Sequence, residues 1–194
     1  SPDQLAMMER VADPRLSPDG RRILYTVRAT DWAGNRGVSS AWVIDPDGSR
    51  YWGVHGAAGL LLRAPLDGGA TGILLQHRAV WSHQGGTWGL PGGARDSHES
   101  AIDTAVREAD EEAGVRADQL TVVAALVTHQ SPSGWTYTTV IADTSEPVRT
   151  VANGESAELR WVGEHDVDTL PLHPGFGQAW PGLRERIARL DLQA

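Results

Sequence analysis

A turn followed by a helical pattern, near the middle of the chain, constrains the fold more than any other segment. The turn is residues 90–93 (LPGG), where proline and paired glycines interrupt any helix or strand. Asp96 or Ser97 is predicted to cap the helix, with Glu99 at a capping-box-like spacing, and Gly114 supplies its left-handed stop. The predicted core-facing residues are Ile102, Ala105, Val106, Ala109 and Ala113. Their spacing predicts an amphipathic helix packed on a core.

Three glutamates share another side of this predicted helix. Glu108, Glu111 and Glu112 are three or four residues apart, so they lie on one face at neighbour distance. Like charges at this spacing destabilise a helix by roughly a few tenths of a kcal/mol per pair. A divalent cation that prefers oxygen ligands, magnesium or manganese, would relieve the repulsion. From these residues alone, a metal site and a solvated acidic face both remain open.

The whole segment resembles the Nudix box, G-x5-E-x7-R-E-U-x-E-E-x-G-U, in which U is an aliphatic residue. Ala109 takes the first aliphatic position, and Trp88 with residues 90–93 matches the W-x-L-P-G-G sequence that is common just upstream. The other fixed positions are filled by Gly93, Glu99, Arg107, Glu108, Glu111, Glu112, Gly114 and Val115. The resemblance implies an α/β/α sandwich around a mixed sheet, Mg²⁺ or Mn²⁺ as cofactor, and hydrolysis of a nucleoside diphosphate linked to another group.

The resemblance also implies roles for single residues. Glu108, Glu111 and Glu112 would bind the metal, and Glu111 and Glu112 would act in catalysis through it. Glu99 would be an outer or auxiliary metal carboxylate, and Arg107 the ion-pair partner that orients the site.

A general base is still required, and it need not come from the box. Family members often use a glutamate on a downstream loop, and residues 153–161 offer Glu155 and Glu158. Glu155, which precedes a strand-like run, is the predicted base. A merely solvated loop carboxylate is the alternative.

Three residues are predicted to contact the substrate: Trp81, Trp88 and His173. Trp135 is a further residue able to stack on a base, and core packing is the alternative for each tryptophan. His173 lies where relatives that resemble oxidised-nucleotide sanitisers place a polar base contact, commonly asparagine.

Residues 81–115 most resemble actinobacterial MutT-like members of the family. That resemblance implies hydrolysis of nucleoside di- or triphosphates, including oxidised guanine nucleotides such as 8-oxo-dGTP. A pyrophosphatase acting on ADP-ribose, nucleotide sugars or dinucleotides is one alternative. A non-catalytic nucleotide-binding regulatory domain is another, although such domains usually lose the box glutamates that this chain retains.

The composition excludes several kinds of site. All 17 basic residues are arginine and cysteine is absent, so there is no disulfide, thiol nucleophile, cysteine-bound zinc or Schiff-base lysine. The net charge of −8 disfavours a polymeric nucleic-acid partner but is compatible with a small nucleotide carried with magnesium. Without an apolar run long enough to span a membrane or a secretion-signal pattern, a cytoplasmic location and no membrane partner are expected.

Residues 1–50 differ from the rest and are predicted to be an appendage, with the Nudix domain at 51–194. Arg22–Arg28 and Ser40–Asp45 are strand-like, which predicts a β-hairpin. The piece weakly resembles part of a propeller blade of prolyl-oligopeptidase-type peptidases, through the sequence SPDG. No Gly-x-Ser-x-Gly elbow supports peptidase activity. Because one hairpin is too small to be stable alone, it must pack on the following domain, exchange between subunits of a homodimer, or be poorly ordered.

The regular elements of the second region are predicted from their apolar patterns. Five strands are predicted, followed by a closing amphipathic helix at Phe176–Leu190. The strands are Gly56–Arg63, Gly72–Arg78, Leu120–Thr128, Trp135–Ala142 and Glu158–Val162. Together with the box helix, they supply the parts of an α/β sandwich.

Overall fold

The computed structural model describes residues 10–31, 36–80, 82, 84–153 and 156–192, which form two β-sheets and two α-helices. The first sheet contains β1 (Arg10–Leu16), β2 (Ile23–Asp31), β3 (Arg36–Ile44) and β4 (Arg50–Trp52). The second contains β5 (Ala57–Pro65), β6 (Thr71–Arg78), β7 (Trp88–Gly89), β8 (Gly92–Ala94), β9 (Thr121–Gln130), β10 (Thr136–Asp143) and β11 (Ser156–Gly163). The helices are α1 (Ala101–Ala113) and α2 (Pro174–Asp191). The five predicted strands and the closing helix are confirmed, with shifts of at most two residues at their ends.

The second sheet is mixed, as predicted. Its strands are ordered β11-β6-β5-β10-β9, with β7 paired to β6 and β8 paired to β5. Strand β10 runs parallel to β5, whereas β9, β6 and β8 pair with their neighbours in antiparallel fashion. A parallel pair requires a long crossover connection, and the one between β5 and β10 contains α1.

Side chains of β5 alternate between two core layers, one under each helix. Leu60 and Leu62 pack in the layer of Ala105 and Ala109 from α1, whereas Leu61 packs in the layer that α2 covers. Because both faces are covered, residues 57–64 are all buried, and their sequence is an almost continuous apolar run. This sandwich confirms the predicted α/β fold.

Helix α1 begins later than predicted. Its N-cap is Ser100, not Asp96 or Ser97: the Ser100 hydroxyl accepts a hydrogen bond from the Asp103 backbone N–H at 3.2 Å. The Asp103 carboxylate in turn accepts one from the Ser100 N–H at 3.0 Å. Serine at this position closes a complete capping box with Asp103, and Glu99 therefore stays outside the helix.

The buried face of α1 is also rotated from the predicted one. Ala105, Ala109 and Ala113 are buried as expected, but Ile102 is 39% exposed. Glu112 occupies the core-facing position instead and is only 3% exposed. Because the alanines are small, α1 packs close to the sheet, and this face directs one acidic side chain inward.

The first sheet is a four-stranded antiparallel meander, larger than the single predicted hairpin. Strands β2 and β3 confirm the two predicted runs, whereas the turn-rich sequence of residues 11–20 predicts no strand where β1 lies. Along β1 the register shifts between Ala12 and Arg15, a bulge that accommodates Pro14 because β1 is an edge strand. No described helix combines the length and apolarity needed to cross a membrane.

Candidate active site

Strand β8, which precedes α1, holds the innermost glutamate of the box. The Gly92 backbone N–H donates a hydrogen bond of 2.8 Å to the Glu112 carboxylate. A Cβ atom on Gly92 would lie 2.5 Å from the Ala58 carbonyl oxygen, and one on Gly93 would overlap the Glu108 carboxylate. Both glycines are therefore needed for space, because the backbone passes directly between β5 and the acidic face of α1.

Arg107 is the centre of the charged network on that face. Its Nε and Nη2 donate to the two Glu99 carboxylate oxygens at 2.6 and 3.0 Å. Its Nη1 donates to Glu108 at 2.9 Å and to Glu111 at 3.3 Å. One guanidinium thus contacts three carboxylates.

This network shifts the pKa values of both partners towards the charged forms. The Arg107 hydrogen bonds lower the pKa of Glu99 to about 2 against the opposing effect of burial, with help from the Asp96 N–H and the Thr104 hydroxyl. Glu99 chiefly, and Glu108 to a smaller extent, raise the pKa of Arg107 above its ordinary value. Glu99 is therefore an anion at neutral pH, and it is held by arginine.

The donor set fits a hard divalent cation. Glu108, Glu111 and Glu112 supply only carboxylate oxygens, the ligand type that Mg²⁺ and Mn²⁺ prefer. Their side chains range from buried Glu112 through largely buried Glu108 to Glu111, which is 58% exposed. An ion bound here would be held by buried Glu112 on one side and would be accessible to solvent beside Glu111 on the other. The ligand atoms of a second group, Asp96, His98 and Glu99, lie within 4.8 Å of one another, but Arg107 already binds Glu99 there.

A cavity of about 370 Å³, here called the intersheet cavity, opens beside this site. Gly92 and Tyr137 line it, so it adjoins the backbone that holds Glu112. Burial raises the pKa of the Tyr137 phenol above its ordinary value, with the charge of Glu112 as the next cause. The phenol therefore stays protonated at neutral pH. Tyr137 was not among the predicted site residues, because only the pairing of β10 with β5 brings it to Gly59.

The predicted substrate contacts lie in different environments. His173 lines the intersheet cavity, as does Trp135. Trp88 is not among the residues that line it. Its ring stacks on His77 at 4.7 Å, and the Arg160 guanidinium lies 4.8 Å from its centroid. These contacts favour the packing alternative for Trp88. Trp81 lies outside the described residues.

The predicted general base, Glu155, also lies outside the described residues. The backbone leading to it is attached to the end of α1: the Asn153 side chain donates to the Glu111 carbonyl oxygen at 3.2 Å, and the Val151 N–H donates to that of Ala113 at 2.9 Å. Glu158 forms an exposed ion pair with Arg160 at 2.7 Å. The sequence did not predict this contact of Asn153, because an asparagine before a glycine indicates only a turn.

Comparisons with known proteins agree with this geometry. A family model described as the NUDIX domain matches residues 54–182, more than half of the chain. The chain is 58% identical over 161 residues to "Putative 8-oxo-dGTP diphosphatase 3" of Mycobacterium tuberculosis, covering 81% of this chain and 74% of that protein. It is 62% identical, with a TM-score of 0.74, to a Nudix hydrolase from M. smegmatis, RenU, covering 76% of this chain and 94% of that one. A C. elegans Ap4A hydrolase shares the fold at 22% identity and a TM-score of 0.57, over 68% of this chain and 98% of that one.

Proposed function

The chain belongs to the Nudix hydrolase family, and on that premise we propose that it hydrolyses nucleoside di- or triphosphates at a diphosphate linkage, with Mg²⁺ as cofactor. Oxidised guanine nucleotides such as 8-oxo-dGTP are the proposed substrates. Nudix hydrolases generally use divalent metals, and the carboxylate face of α1 fits one. The choice of Mg²⁺ follows from its preference for carboxylate oxygen and from its association with nucleotide phosphates.

The observation that carries this proposal is the arrangement of Glu112, Gly92 and Arg107. A buried glutamate is held by a backbone N–H, while one arginine holds Glu108 and Glu111 beside it. A helix face kept acidic only for solubility does not need a carboxylate that is 3% exposed. The cost of burying that charge is offset when the carboxylate binds a cation.

Each side chain has a distinct proposed task. Glu108, Glu111 and Glu112 would hold the metal, and Arg107 would keep their carboxylates in position. A bound Mg²⁺ supplies charge neutralisation for phosphate oxygens and lowers the pKa of a water. Glu155 is the proposed base that accepts the proton of the attacking water. The attachment of residues 151–153 to α1 supports it, because Asn153, which contacts the helix end, is two positions before Glu155 in the sequence.

Two observations support the substrate class. The tuberculosis protein that shares 58% identity carries an 8-oxo-dGTP diphosphatase name. The intersheet cavity beside the carboxylates is within the usual size range of small-molecule sites and is lined largely by apolar and aromatic groups. A nucleotide with its phosphates at Glu108 and Glu111 would have room for its base there.

A nucleotide-hydrolysis panel, read by chromatographic separation of the nucleotide products, tests the proposal. The full chain is assayed with 8-oxo-dGTP, dGTP, CTP, ADP-ribose and a dinucleoside polyphosphate, each with Mg²⁺, with Mn²⁺ and with a chelator. We expect metal-dependent turnover that favours 8-oxo-dGTP. Preference for ADP-ribose or the dinucleotide would reject the substrate class. If the protein bound nucleotide but hydrolysed none of the panel, the result would favour a non-catalytic binding domain.

The proposed domain division is 1–50 as an appendage and 51–194 as the catalytic domain. Its support is that both core clusters of the second sheet consist of residues from 58 onwards. The family match from residue 54 supports the same boundary.

A further inference from the structure

One face of the first sheet forms a wall of the intersheet cavity. The lining residues of β2 and β3 recur at every second position, so their side chains project from the same face. They are Val27, Ala29, Val38, Ser40 and Trp42. Val27 lies opposite Ser40, and Ala29 lies opposite Val38. Trp52 of β4 lies opposite Trp42 and lines the cavity as well.

This wall is attached to the second sheet by a specific contact. The Trp135 indole N–H donates to the carbonyl oxygen of Gly53 at 2.9 Å and to that of Trp52 at 3.2 Å. The Tyr51 ring stacks on Trp135 with a centroid distance of 4.9 Å. Strand β4 is therefore held against the β9–β10 end of the second sheet. This contact with Trp135 also fixes the position of Trp52.

The chemistry of the cavity suits an aromatic anion. Its described lining contains two arginines, Arg50 and Arg78, and neither aspartate nor glutamate. At the end near the catalytic helix it is lined by Gly92 and Tyr137. A nucleotide whose phosphates meet the glutamates of α1 would extend its base towards the tryptophans of the first sheet.

We propose that the first sheet is part of the substrate site and that Trp42 and Trp52 form the surface on which the nucleobase stacks. Neither residue falls within the stretch matched by the family model, 54–182, so the wall lies outside the family domain. The inference rests on the proposed function in one respect, that the occupant is a nucleotide. It makes base recognition a property of both sheets.

The test measures binding of the products dGMP and 8-oxo-dGMP by calorimetry, with deoxyribose 5-phosphate as a base-free probe. Val38→Trp fills the cavity, and Ser39→Trp places the same side chain on the other, exposed face of β3. Trp42→Ala removes one of the two rings of the stacking surface, whereas Trp42→Phe retains an aromatic ring there. We expect V38W and W42A to weaken binding of both nucleotides by about tenfold or more. S39W and W42F stay close to the wild type, and deoxyribose 5-phosphate binds all variants alike.

The outcomes separate this inference from the hydrolase assignment. Turnover of 8-oxo-dGTP with equal nucleotide affinity in wild type, V38W and W42A would overturn the stacking wall and leave the proposed function standing. Base-dependent binding that V38W abolishes, without any turnover in the wild type, would support the wall and reject the hydrolase. If a variant bound deoxyribose 5-phosphate as weakly as it bound the nucleotides, its effect would be assigned to misfolding. The wall would then be rejected if W42F lost as much nucleotide binding as W42A.

Discussion

Arg107 and Glu99 form a bidentate ion pair, with Nε–Oε1 and Nη2–Oε2 distances of 2.6 and 3.0 Å. The pair joins the loop before α1 to the middle of that helix. The remaining nitrogen, Nη1, reaches Glu108 and Glu111. Because a guanidinium presents its donors in a fixed plane, the carboxylates are oriented before any ligand arrives.

Arg107→Gln should destabilise the protein. It removes the partner of Glu99, whose side chain is only 9% exposed, and leaves neighbouring carboxylates to repel one another. Breaking a buried pair costs about 3–5 kcal/mol, and because Arg107 itself is 31% exposed we expect about 2–3 kcal/mol. Chemical unfolding in chelator measures it. Arg107→Lys, which keeps the charge without the bidentate geometry, should have a stability between those of the wild type and Arg107→Gln. Equal stability of all three proteins would contradict the role given to Arg107.

Glu99 should make stability depend on acidic pH. Its pKa is about 2 in the folded protein against an ordinary 4.5, so its contribution is complete above pH 4.5 and is lost as the pH falls towards 2. A shift of this size corresponds to at most about 3 kcal/mol. The difference in unfolding free energy between wild type and Glu99→Gln, measured without metal, should therefore be constant near neutrality and shrink between pH 4.5 and 2. A difference that stays flat over that range would argue against the pair.

Glu111→Gln should lower kcat without affecting the fold. The side chain is 58% exposed, so the amide fits, but the charge needed for the proposed metal site is lost. Outer-shell changes at metal sites cost about 10–100-fold, and we expect a ligand to cost at least about 100-fold. Asp110→Asn is the matched control, since it removes an exposed carboxylate from the adjacent position of the same helix. Wild-type turnover in E111Q would remove Glu111 from the metal site.

Trp135→Phe should loosen the first sheet while leaving the catalytic helix unchanged. The change removes the indole N–H that binds the Trp52 and Gly53 carbonyls and keeps an aromatic ring against Tyr51. One such hydrogen bond contributes about 1 kcal/mol, which gives roughly fivefold faster hydrogen exchange in β4. Trp161→Phe removes an equivalent bond, to Val148 at 3.2 Å, and should affect only residues near 148. Unchanged exchange in β4 of W135F would show that the contact does not hold the sheet.

Removal of residues 1–50 should leave a folded domain with weakened nucleotide binding. Among the described residues, neither core layer of the second sheet contains a residue of the first sheet, so the packing of the second sheet is retained. The wall that contains Trp42 is lost, which should raise KM more than it lowers kcat. Circular dichroism and thermal unfolding measure the fold and its stability, and chromatography of the nucleotide products measures KM and kcat. Aggregation of the shortened chain would place the domain boundary earlier than residue 51.

The features that could be predicted from the sequence depend on the spacing of residues within one helix or strand. The acidic face of α1 follows from the positions of Glu108, Glu111 and Glu112 on one helix, and Gly114 ends that helix at φ 69° as expected. The strands followed from apolar runs, because a covered strand such as β5 must be apolar on both faces. The predicted N-cap of α1 was wrong. Asp96, Ser97 and Ser100 are all residue types that suit a cap, and the reciprocal contact with Asp103 favours Ser100.

The sequence by itself determined the helix, its carboxylates and the family, because these depend on residues close together in the chain. Tertiary structure alone decided that Glu112 is the buried glutamate, since that depends on how closely the alanines of α1 approach β5. It alone placed Tyr137 beside Gly59, and Trp135 against Gly53, pairs that are about 80 residues apart. The physical reason is that a spacing rule holds along one element, whereas a cavity wall forms only where separate elements pack.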